Sequence, residues 1–290
     1  MQSLLETVKI KSQYFLPKKI ISRLIGKLAA AEMGTVTTFL IKNFIKYYKV
    51  DMQEAAIQNV EEFKTFNDFF TRALKVGARP IAADKKALAS PADGMISEYG
   101  AIYTDAIIQA KGHYYSLETL LGGNQKDSKI FENGSFITTY LSPKDYHRVH
   151  MPLDGQLEKM IYVPGELFSV NPSSAQNIDN LFARNERVIC IFKNDQIGRF
   201  AVVMVGATIV ASIATAFAGT VAPAAKKEIQ VTDYTKQSIS LKKGEELGRF
   251  MLGSTVICVF PKNKIVWNKD LVAEKKIKCG MEFAHIKEKN

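Results

Sequence analysis

The chain has 290 residues, 47% of them hydrophobic, and a formal net charge of +10. That content supports one sizeable core, or a core with a helical appendage. Its three cysteines, Cys190, Cys258 and Cys279, are widely spaced with no C-x-x-C pair, which argues against a disulfide framework or a zinc ribbon and for a reducing compartment.

Residues 1–50 hold nine Lys/Arg and two acids, so +7 of the charge lies there. Glu6, Lys9 and Lys11 interrupt any apolar stretch of a secretory signal peptide. Such asymmetry asks for an anionic partner, nucleic acid or an anionic membrane surface. The apolar pattern chooses between them. Leu16, Ile20, Ile21, Leu24, Ile25 and Leu28 share one helical face, flanked by Lys18, Lys19, Arg23 and Lys27, and Pro17 suits a first helical turn. Leu40, Ile41, Phe44, Ile45 and Tyr48 form a second stripe beside Lys42, Lys46 and Lys49. Basic amphipathic helices with large apolar faces lie in membrane interfaces. Nucleic-acid binders rarely need so much Ile, Leu and Phe beside the charge, so no nucleic acid is expected. The competing reading is that both stripes pack on the protein's own core.

Residues 1–75 read as helical, with a short polar-started helix in the segment 65–72. Gly77-Ala78-Arg79-Pro80 breaks that texture. Short apolar runs follow, separated by turn signals at Asp93-Gly94, Gly122-Gly123, Asn133-Gly134, Asp154-Gly155 and Pro164-Gly165. That spacing predicts antiparallel β-structure, with strands at 136–141 and 187–192. The fold class expected is α+β: a mostly antiparallel, sandwich- or barrel-like β domain over 76–290, behind a helical membrane-contacting region over 1–75.

Residues 200–225 carry no charge, which by length alone fits a transmembrane helix. Their β-branched content, Gly206 and Gly219, and the absence of Leu predict two or three buried strands instead.

Near the C-terminus stands Leu252-Gly253-Ser254-Thr255. A Ser hydroxyl directly after Gly can attack the Gly carbonyl and turn that amide into an ester. Gly lacks Cβ and admits the close approach. Elimination from the ester gives dehydroalanine, which hydrolyses to a pyruvoyl group, an amine-trapping electron sink. Gly-Ser alone more often marks a turn. Attack by Ser254 needs a base, usually a His oriented by an acid. The chain has four His, at 113, 147, 150 and 285. His147-Arg148-Val149-His150 reads as a structural pair or as a metal pair lacking a third ligand, and no metal is expected. Between Pro143 and Pro152 the segment reads as extended, where i and i+3 face opposite ways, so a bend or bulge would be needed to bring both to one site. Asp93 could be only an Asp-Gly turn.

Five segments together resemble phosphatidylserine decarboxylase of the bacterial membrane type. They are Ser90-Pro91-Ala92-Asp93-Gly94, the run 140–152 around His147 and His150, the runs 162–171 and 180–187, and Leu252-Gly253-Ser254-Thr255. The resemblance spans about Tyr14 to Pro261. It implies a proenzyme that cuts itself between Gly253 and Ser254, leaving residues 1–253 and 254–290 as a heterodimer, with room for a further oligomer. It implies that Asp93, His150 and Ser254 form the cleavage triad. Ser254 becomes the covalent pyruvoyl cofactor, which would take phosphatidylserine as a Schiff base, and His147 protonates the carbon after decarboxylation to phosphatidylethanolamine and CO2. A peripheral place on the cytoplasmic face of the cell membrane also follows. His147 suits the acid role because an imidazole can be protonated near neutral pH. Arg184 and Arg187 are candidates for the headgroup phosphate, while His113 is either structural or a substrate contact. Two rivals remain open: a pyruvoyl decarboxylase of a soluble amino acid, and a non-catalytic lipid-binding protein.

Overall fold

The computed structural model describes residues 4–110, 112–208, 212–223, 227–251 and 254–288. Three helices come first: α1 (Leu4–Phe15), α2 (Lys18–Ala30) and α3 (Thr35–Tyr48). Pro17 is the N-cap of α2 rather than its first residue. Lys49 takes the left-handed conformation, φ 56°, and closes α3 by donating its N–H to Ile45 O. Residues 49–65 then run as turns with one 3-10 turn at Val60–Glu62, so the helical texture expected over 1–75 is interrupted. α4 (Phe66–Phe70) follows, capped as its sequence predicts: the Thr65 hydroxyl accepts from Asp68 N–H and the Asp68 carboxylate from Thr65 N–H.

Ile41 of α3 packs with Val50, Phe63, Phe69 and Phe70 in a satellite core, and Phe44 meets Phe66, Phe69 and Phe70 edge-on. The second apolar stripe is therefore divided. Ile41 turns inward, while Leu40 and Tyr48 stay exposed. The first stripe divides likewise: Leu16, Ile20, Leu24 and Leu28 are exposed, whereas Ile21 and Ile25 are half-buried.

The rest is antiparallel β-structure. The strands are β1 (Ala87–Ala89), β2 (Gly94–Ala101), β3 (Ala106–Ala110), β4 (His113–Ser116), β5 (Ser135–Leu141) and β6 (Arg148–His150). Then come β7 (Gly155–Val163), β8 (Arg187–Asn194), β9 (Gly198–Val205), β10 (Ile213–Thr215), β11 (Gly219–Ala222) and β12 (Gln230–Asp233). The last are β13 (Ser240–Leu241), β14 (Glu246–Phe250), β15 (Ser254–Phe260), β16 (Ile265–Trp267), β17 (Lys276–Ile277) and β18 (Glu282–Ile286). The α+β class, mostly antiparallel, is as expected, and the sheets are open. The largest runs β12-β7-β8-β9-β15-β5-β2-β17 with β13 also on β7, and a four-stranded sheet runs β11-β10-β14-β6. The uncharged stretch 200–225 supplies the buried end of β9 together with β10 and β11, as its β-branched content predicts; 209–211 and 224–225 lie outside the described residues.

Candidate active site

Two crossings between the same two sheets build the site. After β5 the chain leaves the large sheet, turns at 143–145 and enters β6 of the small sheet. After β14 it leaves the small sheet and returns to the large one as β15. The crossings lie side by side. Ser254 pairs with Leu141 where one begins, and Phe250 N–H donates to His147 O at 3.0 Å where it ends. Arg249 pairs with Arg148 beyond it. The H-x-x-H run and the Ser254 segment are thus neighbours by topology. Leu252 and Gly253, and with them the expected scissile bond, lie outside the described residues.

Ser254 opens β15 fully buried, and among the described residues its Oγ has no hydrogen-bond partner. Such an atom is costly to leave unpaired, by about 1–3 kcal/mol, which marks it as chemically poised or awaiting a partner. His147 is the second case. It is fully buried with its ring 4.1 Å from that of Phe70. Its Nδ1 donates to Asp145 O at 2.8 Å, so Nε2 is the bare acceptor, and Nε2 has no partner. Burial pushes its pKa down to about 3, with the Arg72 charge acting in the same direction. At neutral pH it is therefore a neutral acceptor throughout, whereas a histidine at the ordinary value would be partly protonated.

His150 lies on the other side of the bend. Its Nδ1 donates to Gly244 O at 2.8 Å and its Nε2 accepts from the Tyr146 hydroxyl at 3.1 Å. Burial holds its pKa below the ordinary value. It too is neutral, with the tautomer a general base needs. His150 N–H donates to Pro91 O, two residues before Asp93.

The Asp93 carboxylate is already engaged. Arg79 grips it with Nε and Nη2, and Cys279 N–H donates to Oδ1 at 2.8 Å. Arg79 also holds Glu54, which Lys278 pairs from the other side. The Arg79 hydrogen bond keeps Glu54 down at about 2. Asp93 and His150 therefore stand at adjoining walls that share Arg79 and Tyr146. Among the described residues no hydrogen bond joins Asp93 to His150, or His150 to Ser254.

Asp93-Gly94 is not a turn. Gly94 starts β2, and a Cβ there would meet Tyr140 O of β5 at 2.2 Å. The glycine lets two strands close up beside the carboxylate.

The other candidates have partners of their own or are buried. Arg187 is buried, and its guanidinium donates to Leu120 O, Ala183 O, Asn185 O and Thr119 O, which commits four of its five N–H groups inside the fold. Arg184 lies over the rings of Phe168 and Tyr14. His113 bonds Asp179 near the surface, and His285 contacts Asp84 and Glu282. The cysteines are free and buried, and burial lifts the Cys190 and Cys279 thiols to about 12. Arg79 and Tyr146 carry no local signal for their place in the site, although Arg79 stands in the segment that breaks the helical texture. Only tertiary contact reveals their partners.

The sequence model of phosphatidylserine decarboxylase matches residues 66–285, and a second, described as PSD, matches 8–49. The chain belongs to the phosphatidylserine decarboxylase family. The phosphatidylserine decarboxylase proenzyme of Psychromonas ingrahamii is 55% identical over 281 residues, spanning 97% of this chain and 98% of that one. That of Shewanella sediminis is 54% identical over 288 residues (98% and 100%), and that of Pseudoalteromonas translucida 55% over 285 (97% and 99%). Membership covers both the helical region and the β-structure, and it places Asp93, His147, His150 and Ser254 inside the family match. A covalent group derived from Ser254 fits this environment, because Ser254 Oγ and His147 Nε2 are buried polar atoms without partners.

Proposed function

We propose that this chain is a self-cleaving decarboxylase that converts phosphatidylserine to phosphatidylethanolamine and CO2 on a membrane surface. Relatives at about 55% identity named as proenzymes of that activity carry the reading, and the unpartnered Ser254 Oγ at the head of β15 supports it. Cleavage after Gly253 would leave Ser254 as a pyruvoyl group, whose ketone and adjoining amide carbonyl trap an amine and absorb the electrons left by departing CO2.

His150 Nε2 serves as the base for the Ser254 hydroxyl. For this its ring exchanges the Tyr146 contact for Ser254, and the Asp93 carboxylate, fixed in place by Arg79, steadies the imidazolium that forms. His147 acts in the second reaction. Its neutral Nε2 takes the proton that the substrate ammonium releases and returns it to carbon once CO2 has left. Returning it to that carbon keeps the cofactor intact.

Attachment is peripheral, at the cytoplasmic face of the cell membrane. Among the described residues no single helix is long and apolar enough to cross a bilayer. Phe15, Ile20, Leu24, Leu28, Phe39 and Tyr47 are exposed instead, beside the exposed cations Arg23, Lys27 and Lys46. A soluble amino-acid decarboxylase would not need this face, and a lipid-binding protein would not need Ser254, Asp93 and His150.

Denaturing mass analysis tests the reading. Chains of 253 and 37 residues are expected, the smaller resistant to Edman degradation, and Ser254→Ala protein should stay full length. Wild-type protein that is active yet uncut would sink it.

A further inference from the structure

The cleft in front of Asp93 carries more positive charge than its own acids use. It is about 280 Å³ and its wall includes Lys49, Arg72, Lys144 and Lys276. Glu54 is taken by Arg79 and Lys278, Asp93 by Arg79, and Asp145 by the Ser142 N–H and hydroxyl, while Asp51, the fourth acid of the wall, accepts from Gln53 N–H. Among the described residues Lys49, Lys144 and Lys276 have exposed ammonium-bearing side chains with no ion pair or hydrogen bond to an acid.

Arg72 differs from these lysines. It is 5% exposed, and its Nε is buried with no partner. Among the described residues the only hydrogen bond from its guanidinium is a long one, Nη2 to Lys144 O at 3.3 Å. One face lies over the Phe69 ring at 5.3 Å. A buried guanidinium with a spare donor is expensive unless an anion completes it. Burial depresses its pKa, the Arg79 charge acts the same way, and the charges of Asp93, Asp145 and Asp51 oppose them. Arg presents a planar fork that matches phosphate oxygens in pairs.

Its location narrows the anion. Arg72 follows Phe70, whose ring lies on the fully buried His147, so the cation stands beside the decarboxylation site. On the other side, Lys49 follows Tyr48, which lines an apolar groove of about 920 Å³ with Leu28, Leu40, Phe44 and Phe66. Charge thus begins where apolar surface ends, the order in which a glycerophospholipid presents acyl chains, phosphodiester and headgroup. A carboxylate that must leave as CO2 gains nothing from a cation that stabilises it in the ground state.

We propose that Arg72, with Lys49, Lys144 and Lys276 at the rim, forms the subsite for the phosphodiester of the substrate, so that the headgroup extends toward His147 and Ser254. This rests on the decarboxylase reading above and deepens it.

The test uses full-length processed protein and sn-glycero-3-phosphoglycerol, a soluble phosphodiester that has no amine and so reports this subsite alone. Binding is followed by calorimetry, with inorganic phosphate and free serine as separate arms. Arg72→Gln is expected to weaken diester binding by about tenfold or more, the usual loss for one charge-assisted hydrogen bond, with serine binding unchanged. Inorganic phosphate should compete poorly. The triple variant Lys49→Gln/Lys144→Gln/Lys276→Gln, confined to exposed positions, should fold even where Arg72→Gln does not, bind the diester more weakly and show a flatter salt dependence. Diester affinity unchanged in a variant that still yields the two chains would overturn the subsite. Phosphate binding as tight as diester binding would instead make this a site for free phosphate and equally overturn it. Two chains on mass analysis leave the decarboxylase reading standing in either event.

Discussion

Asp93, His147, His150 and Ser254 each have an environment that decides what they can do. Both histidines give their Nδ1 proton to a backbone carbonyl, Asp145 O and Gly244 O, which leaves Nε2 to act in each. They differ in what faces Nε2, a Tyr146 hydroxyl for His150 and no partner for His147. Self-cleavage should therefore separate from decarboxylation. His150→Ala should stay uncut, and Asp93→Asn should slow cutting severely, because an amide cannot steady the imidazolium even though Gly244 O still fixes the tautomer. His147→Ala should still be cut but make little phosphatidylethanolamine. Mass analysis and thin-layer chromatography of the lipid product read the two steps apart; an uncut His147→Ala beside a normally cut His150→Ala would reverse the roles. The pH profile carries its own sign. A base must be unprotonated, and burial lowers the His150 pKa, so cutting should persist below pH 6.5 and fail only as the pH drops through that lowered value. A rate already halved near pH 7 would contradict it.

At the scale of elements, the site depends on how closely β2 and β5 approach. The Asp-Gly signal is read in sequence as a turn, but in the fold it is a strand start whose glycine touches the Tyr140 carbonyl. Gly94→Ala should push β2 off β5, destabilise the protein by about 1–3 kcal/mol and displace Asp93 next to it. Urea unfolding and the rate of chain cutting should fall together. A variant of wild-type stability that cuts normally would show that this approach is not required. Arg187 teaches the complementary lesson. An arginine in a motif looks like a ligand group, yet its donors go to four carbonyls, holding Thr119 and Leu120 against the turn before β8.

Across the whole molecule, the helical region is pinned to the β-structure while part of each apolar stripe faces outward. Lys18, which looks like a surface charge flanking α2, is buried, paired with Glu166 and set over the Phe168 ring at 3.4 Å. Gln13 accepts from Ser169 N–H at 2.8 Å. The remaining cations and the exposed apolar side chains should bind anionic vesicles, more weakly as salt rises, because surface charge is screened over about 8 Å at physiological ionic strength. Vesicle flotation across a salt series checks this. Binding that ignores salt and yields only to detergent would point to a span instead.

The family, the β-rich body, the strands at 136–141 and 187–192, the strand character of 200–225 and the capped helix at 66–70 are all legible in the sequence. Each rests on local signals: side-chain periodicity, a capping pair, or residues fixed in order along a motif. The tertiary structure decided the rest. Periodicity could say that His147 and His150 diverge, but only the fold shows one beneath Phe70 and the other against Tyr146 and Gly244. The Asp93 carboxylate meets the Cys279 amide across 186 residues of sequence, and Arg79 joins it to Glu54. Which half of an amphipathic stripe turns inward was likewise settled by the aromatic cluster of α4, which covers Ile41 and leaves Leu40 bare. Burial, hydrogen-bond partners and the shifted acidities that follow depend on segments far apart in the chain, and no local pattern encodes which distant group arrives.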